Sequence, residues 1–331
     1  MNPKDTLLLT RDDVKNLLTL GDCIDAVGRA FSLAAQGLIP KAGVLGFPAR
    51  DGGFHLKVAS LAGAPGYFAA KLNGNFFHNR ERFGMPNIQG LIVLCDLENG
   101  RPLAVMDSIE ITILRTGAAT GVAARTLARK GAGAVTICGC GNQGRVSLRA
   151  LQSFMRIERL YLWDIDPQAS TKLAAEFGPT IAQPIEVVSD PRAGTRASDV
   201  IVTCTPAKKA FLAPGDVRAG AFIAAVGADN EEKSEIAPSL MAASTIVTDR
   251  TEQCERIGDL HHTIEAGLAT AGSVHAEIGQ ILAGTKPGRT RDDEVVIFDS
   301  TGTALQDVAA AALVYERAVA AGRGTPFTFS S

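Results

Sequence analysis

The sequence predicts an α/β protein in which a domain with a doubly wound parallel sheet is combined with an α+β domain. Two observations support this fold class. From residue 116 to about residue 300, short apolar runs rich in Val and Ile alternate with helical patterns, which indicates parallel strands covered by helices on both faces. Before residue 116, a helix is followed by alternating apolar segments, which is typical of antiparallel strands.

The size and charge of the chain exclude several classes of protein. Its 331 residues suffice for two domains, and 46% hydrophobic residues can fill a core in each. A net charge of -2 without any basic run argues against a nucleic-acid partner. We find neither an apolar stretch of membrane-spanning length nor a signal-peptide pattern, so we expect a cytoplasmic protein that makes no membrane contact.

No metal site is expected from the cysteines or histidines. The six cysteines are scattered through the chain, which favours reduced thiols, and Cys138 and Cys140 lack the spacing of zinc ligand pairs. His261, His262 and Glu265 could imitate a metal cluster on a helix. Because adjacent helical residues point to different sides, we interpret these three as a polar face.

The individual elements follow from local patterns. Apolar residues at helical spacing predict a helix over residues 22–37, and strands are expected in GGFHLKVASL, YFAAKLNGNF, IQGLIVLCDLENG and RPLAVMDS. Asn99-Gly100 lies between two apolar runs and predicts a hairpin. Further along, a helix is expected to begin at residue 116, and TALQDVAAAALVYERAVAAG predicts a final helix.

The most specific motif lies in AVTICGCGNQGRVSLRAL. Gly139, Gly141 and Gly144 form GxGxxG at the end of a predicted strand and the start of an amphipathic helix. Glycines permit a tight turn and a close backbone approach to a pyrophosphate, which the helix N-terminus then stabilises. The pattern predicts a dinucleotide-binding Rossmann domain; the alternative is a glycine-rich turn without a nucleotide.

Asp164, at the end of the next predicted strand, favours NAD as the dinucleotide. Its carboxylate can accept hydrogen bonds from both ribose hydroxyls, and Ile165 stands where a phosphate-binding arginine would serve NADP. Asp299-Ser300-Thr301-Gly302 closes the last strand of the sheet, and Ser300 to Gly302 are expected either to contact the nicotinamide or to provide the N-cap of the final helix. The other expected cofactor contacts are Thr116, Asn142, Gln143, Thr203, Thr205, Val226 and Gly302.

Two basic residues of the first region could bind a carboxylate. Lys71 lies in the apolar segment YFAAKLNGNF, and Arg115 follows an apolar run beside the hydroxyls of Thr112 and Thr116. A lysine in a strand is more often an edge residue with its ammonium group in water, and Arg115 could be an interdomain ion pair. An arginine flanked by threonines is nevertheless well suited to bidentate capture of a carboxylate.

Together, these motifs resemble the ornithine cyclodeaminase and mu-crystallin family. The resemblance rests on MDSIEITILRTGAAT, the lysine before NGNFF, GMPNIQG, the glycine-rich loop, VGADNEEKSE and IFDSTGTALQD, in the family's order over nearly the whole chain. It implies a substrate-binding and dimerisation domain formed by residues 1–115 and 303–331, and an NAD-binding Rossmann domain formed by residues 116–302. It also implies a homodimer.

The resemblance assigns roles to individual side chains. Arg115, with Thr112 beside it, is expected to bind the substrate α-carboxylate, and Lys41 is a further basic candidate. Lys71 is expected to contact the same carboxylate or to transfer a proton. Asp229 matches the aspartate that acts at the α-amino group, where a base must take a proton before hydride leaves Cα.

One departure from the family concerns the substrate side chain. Cyclodeaminases are expected to present a glutamate to the distal ammonium of ornithine, whereas this sequence has His55 and, on the same strand face, Lys57. A basic pair disfavours ornithine and suits a carboxylate, a hydroxyl or an uncharged side chain. Both residues could equally face solvent.

The sequence therefore predicts an NAD-dependent oxidoreductase that acts on the α-amine of a small L-amino acid or on its imine, which can be cyclic. The alternatives are an ornithine cyclodeaminase, which converts L-ornithine to L-proline and ammonia with catalytic NAD, and a non-catalytic nucleotide-binding protein. Neither the substrate side chain nor the direction of the reaction is predicted.

Overall fold

The computed structural model describes residues 5–39 and 42–329. Its strands are β1 (Asp5–Leu9), β2 (Gly43–Ala49), β3 (Gly52–Leu61), β4 (Tyr67–Phe76), β5 (Ile88–Asp96), β6 (Pro102–Asp107), β7 (Ala134–Cys138), β8 (Arg159–Trp163), β9 (Ile185–Val187), β10 (Val200–Thr203), β11 (Phe222–Ala225), β12 (Thr245–Thr248), β13 (Ala276–Glu277), β14 (Val296–Asp299) and β15 (Thr325–Thr328). Its α-helices are α1 (Arg11–Leu17), α2 (Leu20–Ala35), α3 (Asn79–Phe83), α4 (Ile109–Leu127), α5 (Asn142–Gln152), α6 (Pro167–Phe177), α7 (Pro191–Thr195), α8 (Pro238–Ala242), α9 (Thr251–Ile257), α10 (Asp259–Glu265), α11 (Ile278–Leu282) and α12 (Ala304–Ala321).

The chain forms two compact units. The first comprises Met1–Arg115 and Thr303–Ser331, and its seven strands form one sheet in the order β15-β1-β6-β5-β4-β3-β2. Neighbouring strands run antiparallel except β1 and β6. The antiparallel strands predicted for this region are confirmed, and β5 and β6 form the predicted hairpin, with Gly100 in its turn at a φ of 76°.

One face of the first sheet is buried and the other carries exposed apolar side chains. Along β4, Lys71 and Asn73 are buried, whereas the intervening Leu72 is exposed, because successive side chains of a strand point to opposite faces. The final helix, α12, packs against β3 and β4 and against α2. The first residues of α12 are almost all apolar, but Gln306 and Asp307 interrupt the run.

The second unit, Thr116–Gly302, has the fold that the alternating pattern predicts. Eight strands form one sheet in the order β13-β12-β14-β11-β10-β7-β8-β9, and every neighbouring pair is parallel. The chain proceeds from β7 to β8 and β9 on one side and then returns to β10 on the other. This reversal between β7 and β10 is the switch point at which doubly wound sheets bind ligands, so the predicted fold class is confirmed.

One helix boundary is predicted wrongly. The helix expected from residue 116 begins at Ile109, because the Asp107 side chain accepts a hydrogen bond from the Ile109 backbone N–H and starts the helix earlier. Thr112 and Arg115 therefore lie one turn apart on α4 and not in an extended segment. Within the described ranges, no helix has the length and apolar character needed to cross a membrane.

Candidate active site

The first candidate site, within the first unit, is a buried ion pair on the inner face of the first sheet. Lys71 lies on β4, an interior strand, and its side chain is 3% exposed. The alternative of a solvated edge lysine is therefore wrong. The Nζ atom lies 2.8 Å from the Asp307 carboxylate and 3.5 Å from Thr112 Oγ1. Burial lowers the pKa of Lys71 to about 7 even though Asp307 opposes this shift.

Arg115 contacts the same carboxylate. Its Nε atom lies 3.3 Å from Asp307 Oδ1, and its Nη1 donates to Gln306 Oε1 over 2.9 Å. Burial raises the pKa of Asp307, but Lys71 and Arg115 outweigh burial and hold that pKa below its usual value. One carboxylate thus lies between two buried cations. When Lys71 is protonated, the cluster keeps an excess positive charge, which favours binding of an anion.

Gln306 adds an unused donor to this cluster. Its Nε2 atom is buried and makes no hydrogen bond to the described part of the chain, while Arg115 fixes its Oε1. A buried amide group without a partner costs free energy, so a ligand acceptor at this point would be stabilising. Sequence reasoning missed Gln306 and Asp307. The available signal was two polar residues within the apolar stretch ALQDVAAAALV, because buried acids are normally paired.

The predicted basic pair lies next to Lys71 on the neighbouring strand. In the register of β3 and β4, Lys57 is opposite Lys71, and His55 is opposite Asn73. Both side chains are half-buried, and the charge of Lys57 contributes to the low pKa of Lys71. The structure thus places His55 and Lys57 on the same sheet face as Lys71. The remaining basic candidate, Lys41, lies outside the described residues.

A second candidate site, within the second unit, is the glycine-rich loop between β7 and α5. Gly139 has a φ of 101°, which side chains rarely tolerate, and a Cβ on Gly144 would lie 2.0 Å from the carbonyl oxygen of Gly139. Gly141 is the N-cap of α5, provides no side-chain cap and has open space where a Cβ would lie. The loop therefore presents the first amide groups of α5, and these fit a pyrophosphate.

Asp164 follows β8 and is held against this loop. Its carboxylate accepts hydrogen bonds from the backbone N–H groups of Cys140, at 2.7 Å, and Asp166, at 3.0 Å. The neighbouring Ile165 side chain is 88% exposed and offers no charge to a phosphate. The geometry fits the ribose contact that the sequence predicts, and the contact itself stays a prediction.

A buried glutamate that the sequence did not reveal joins the ends of two neighbouring strands. Glu235 accepts hydrogen bonds from the Oγ1 atoms of Thr203 and Thr205, both at 2.7 Å, and from the backbone N–H groups of Thr205 and Gly227. Burial and the nearby Asp259 carboxylate raise its pKa to about 7. The hydroxyls predicted to touch the cofactor therefore also have a structural role, because they hold the loop after β11.

Asp229 lies in that loop after β11. Its carboxylate is 53% exposed and pairs with Lys233 Nζ at 2.6 Å. Lys233, four positions after the predicted catalytic residue in the same loop, is thus its ion-pair partner. The structure confirms the position of Asp229 after a sheet strand, while its role as an acid or base stays a prediction.

The last strand ends in residues held by a buried aspartate. Asp249 accepts hydrogen bonds from Ser300 Oγ and from the backbone N–H of Gly302, each at 2.8 Å. The N-cap of α12 is Thr303, so the alternative that Ser300 to Gly302 provide that cap is wrong. The other predicted cofactor residues lie in the second unit; these are Thr116, Asn142, Gln143 and Val226.

The interpretation of His261, His262 and Glu265 as a divergent polar face is also wrong in its geometry. The three side chains converge, and the potential ligand atoms all lie within 4.8 Å of one another. Glu265 is four residues from one histidine and three from the other, so it lies between them on the surface of α10.

These features define a class of two-domain α/β proteins in which one domain has a dinucleotide-binding loop and the other a buried cationic cluster. The model of the ornithine cyclodeaminase/mu-crystallin family matches residues 4–322. The chain therefore belongs to this family, as the resemblance predicts.

Three solved structures are similar to almost the whole chain. An archaeal alanine dehydrogenase dimer with bound NAD has a TM-score of 0.92 and 35% identity, with coverage of 98% of this chain and 100% of that one. The iminosuccinate reductase of Paracoccus denitrificans in complex with NAD⁺ has a TM-score of 0.90 and 30% identity, with coverage of 97% and 99%. The Thermococcus litoralis Δ(1)-pyrroline-2-carboxylate reductase, in complex with NADH and L-proline, has a TM-score of 0.87 and 31% identity, also with coverage of 97% and 99%.

Proposed function

We propose that the protein is an NAD-dependent oxidoreductase that transfers hydride at the Cα atom of a small L-amino acid or of its linear or cyclic imine. The observation that carries this proposal is the buried cluster of Lys71, Asp307 and Arg115, in which two cations share one carboxylate. Such a cluster favours a substrate carboxylate and holds a lysine that can exchange a proton near neutral pH. Three similar structures, an alanine dehydrogenase and two imine reductases, support the same reaction class.

NAD is the proposed cofactor, and residues of the second unit fit it. The backbone around Gly139, Gly141 and Gly144 can approach a pyrophosphate, and the Asp164 carboxylate beside this loop can accept hydrogen bonds from the ribose hydroxyls. When bound, the nicotinamide supplies or accepts the hydride. The neutral, exposed Ile165 beside Asp164 supports NAD and not NADP.

In the proposed mechanism, Arg115 orients the substrate through its α-carboxylate. Gln306 Nε2 is a second donor for the same group, because its own oxygen is already bonded to Arg115. Lys71 gives a proton to the imine nitrogen during reduction or takes one during oxidation, which a pKa of about 7 permits. Asp229 is the second proposed acid or base, and takes the proton that the α-ammonium must lose before hydride leaves.

The proposed substrate carries no distal ammonium group. Lys57 adds positive charge beside Lys71, and His55 adds an imidazole ring on the same face, so a second ammonium would be repelled. A side chain with a carboxylate or hydroxyl is favoured, and the similarity to an iminosuccinate reductase agrees with the carboxylate. A cyclodeaminase reaction on ornithine is the less favoured member of the same class.

The proposed assembly is a homodimer that uses the outer face of the first sheet. Leu45, Leu56, Leu72 and Leu91 lie opposite one another in register across four strands, and three of them are about half exposed. A contiguous apolar row of this kind marks an association surface. A second copy of the chain is the proposed occupant, since the similar alanine dehydrogenase is a dimer.

One screen tests the proposed reaction. Purified full-length protein is mixed with NADH and a panel of linear and cyclic imino acids, or with NAD and L-amino acids, and the NADH absorbance is followed. Ammonia release is measured in parallel, because a cyclodeaminase that recycles its cofactor produces no net absorbance change. We expect turnover with an imino acid that has no distal ammonium. Absence of turnover and of ammonia release with every compound would contradict the proposal, and efficient ammonia release from ornithine would contradict the substrate preference.

A matched pair of variants assigns any activity found to the buried cluster. Arg115→Lys keeps the charge but loses the bidentate geometry, so we expect the Michaelis constant for the carboxylate substrate to rise by at least about tenfold. Arg125→Lys, on the same helix outside the cluster, serves as the control. Equal effects of the two substitutions would contradict the assignment.

A further inference from the structure

The three convergent side chains of α10 are arranged as potential metal ligands. His261 Nε2 lies 3.4 Å from Glu265 Oε1, and His262 Nδ1 lies 3.8 Å from Glu265 Oε2. Four ligands at about 2.0 to 2.1 Å around a tetrahedral metal are separated by about 3.3 Å. The three potential ligand atoms all lie within 4.8 Å of one another, so shifts of at most about 1.5 Å, shared among the two rings and the 62% exposed Glu265 side chain, would bring them to that separation.

The other ring nitrogen of each histidine contacts a backbone carbonyl oxygen, an arrangement that orients the ring for metal binding. His261 Nδ1 lies 3.0 Å from the carbonyl oxygen of Glu255, and His262 Nε2 lies 2.8 Å from that of Lys233. A carbonyl only accepts hydrogen bonds, so these two nitrogens carry the protons. In the neutral rings, His261 Nε2 and His262 Nδ1 are therefore left with lone pairs directed toward Glu265. Metal-ligating histidines commonly have such an outer carbonyl partner.

We propose that His261 Nε2, His262 Nδ1 and the Glu265 carboxylate bind a divalent transition-metal ion such as Zn²⁺, with water completing the coordination. Two imidazoles and one carboxylate suit zinc, cobalt or nickel and not calcium or magnesium, which prefer oxygen ligands. The site adjoins the loop of the proposed acid or base. The carbonyl bonded to His262 belongs to Lys233, and the ammonium group of Lys233 pairs with Asp229.

A competing explanation is that protonated histidines simply form ion pairs with Glu265, which requires no metal. Under the first explanation the cluster binds a metal ion through the free ring nitrogens and the carboxylate, and under the second it binds none. Cobalt(II) distinguishes them, since its visible absorption reports coordination by protein nitrogen and oxygen ligands directly.

The test uses the tag-free full-length protein after treatment with a chelator and removal of that chelator. Co²⁺ is titrated in and its visible absorption is followed; Zn²⁺ affinity is then measured by competition with a chromophoric chelator. We expect saturable binding with one ion per chain. His261→Asn and His262→Asn each remove a ligand and should each weaken binding by at least about tenfold, since loss of even an outer hydrogen-bond partner of a ligand costs about 10- to 100-fold. Absence of saturable binding to the unmodified chain would overturn the proposal.

Two further variants distinguish specific metal binding at this cluster from nonspecific binding elsewhere on the protein. Glu265→Gln removes one ligand, so it should also weaken metal binding. It leaves both histidine–carbonyl contacts intact, and the test therefore stays valid even if a histidine variant folds poorly. His275→Asn is the matched control, because His275 is bonded to the Pro287 carbonyl and is not part of the cluster. Equal loss in His275→Asn and in the cluster variants, or unchanged binding in all of the cluster variants, rejects the site.

Discussion

Lys71 and Asp307 are 236 positions apart in the chain, yet the ammonium nitrogen of one lies 2.8 Å from a carboxylate oxygen of the other. Both side chains are almost completely buried. A buried lysine ammonium group without a partner would strongly destabilise the folded protein. Asp307 offsets this cost and raises the pKa of Lys71 against the effect of burial. Asp307 also contacts Arg115, which links the proposed proton donor to the proposed carboxylate-binding residue.

Replacement of Asp307 by Asn should therefore change the pH dependence of turnover. Asp307 raises the pKa of Lys71 against the effect of burial, so its removal should lower that pKa further below about 7. We expect kcat/KM to fall by at least about tenfold and the part of its pH profile that depends on Lys71 to move to lower pH. Profiles of both proteins measure this, with Asp12→Asn on the exposed start of α1 as control. An unchanged pH profile would contradict the proposal that Asp307 controls the pKa of Lys71 during turnover.

Replacement of Asp229 by Asn tests the second proposed acid or base. The change preserves size but removes the proton acceptor, so we expect turnover to fall by about 100-fold or more while NAD affinity stays the same. Steady-state kinetics and a binding titration with NAD measure the two quantities. Glu231→Gln, an exposed neighbour in the same loop, should leave both unchanged. Normal turnover of the Asp229 variant would contradict its role as an acid or base and leave it only a surface ion pair with Lys233.

Replacement of Glu235 by Gln should destabilise the second unit in a pH-dependent way. Glu235 accepts from two backbone N–H groups, and a Gln amide must direct its NH₂ group at one of them, which costs about 1 to 3 kcal/mol. The raised pKa of about 7, against 4.5 ordinarily, means that the folded protein binds this proton more tightly. The stability that this proton provides is complete below pH 4.5 and is lost as the pH rises toward 7.

The variant lacks that titration, so its deficit relative to the unmodified protein should be largest near pH 5 and smaller at pH 8. Denaturant unfolding at the two pH values measures it, with the exposed Glu186→Gln on β9 as control. A deficit that grows with pH would contradict the raised pKa of Glu235.

The parts of the structure with a local signal were predictable, and those that depend on distant partners were not. The GxGxxG loop, the hairpin at Gly100 and the alternation of the second unit are all encoded within short stretches. The burial of Lys71 depends on the strand order and on α12, and no pattern in YFAAKLNGNF records either. Glu235 was missed for the same reason, since Thr203 is 32 positions away.

The proposed preference for NAD over NADP depends on Asp164 and Ile165, so substitutions at these two positions should change it. Asp164 suits free ribose hydroxyls and repels a phosphate, so we expect kcat/KM with NADH to exceed that with NADPH by at least about tenfold. A double variant, Asp164→Ser with Ile165→Arg, should narrow or reverse this ratio because it removes the negative charge and adds a phosphate ligand. The single variant Ile165→Leu is the control. Equal efficiency of NADH and NADPH in the unmodified protein would reject the choice of cofactor.

The row of leucines on the outer sheet face predicts how the protein assembles. Leu72 is 49% exposed in the middle of that row, between Leu56 and Leu91, so Leu72→Glu would bury two charges without partners in a dimer of two copies. We expect the unmodified chain to run as a dimer in size-exclusion chromatography with light scattering and the variant to run as a monomer at the same concentration. Leu268→Glu introduces the same change at a leucine that is 52% exposed in the second unit and should leave the mass unchanged. If Leu72→Glu remains dimeric, another surface must hold the two copies together.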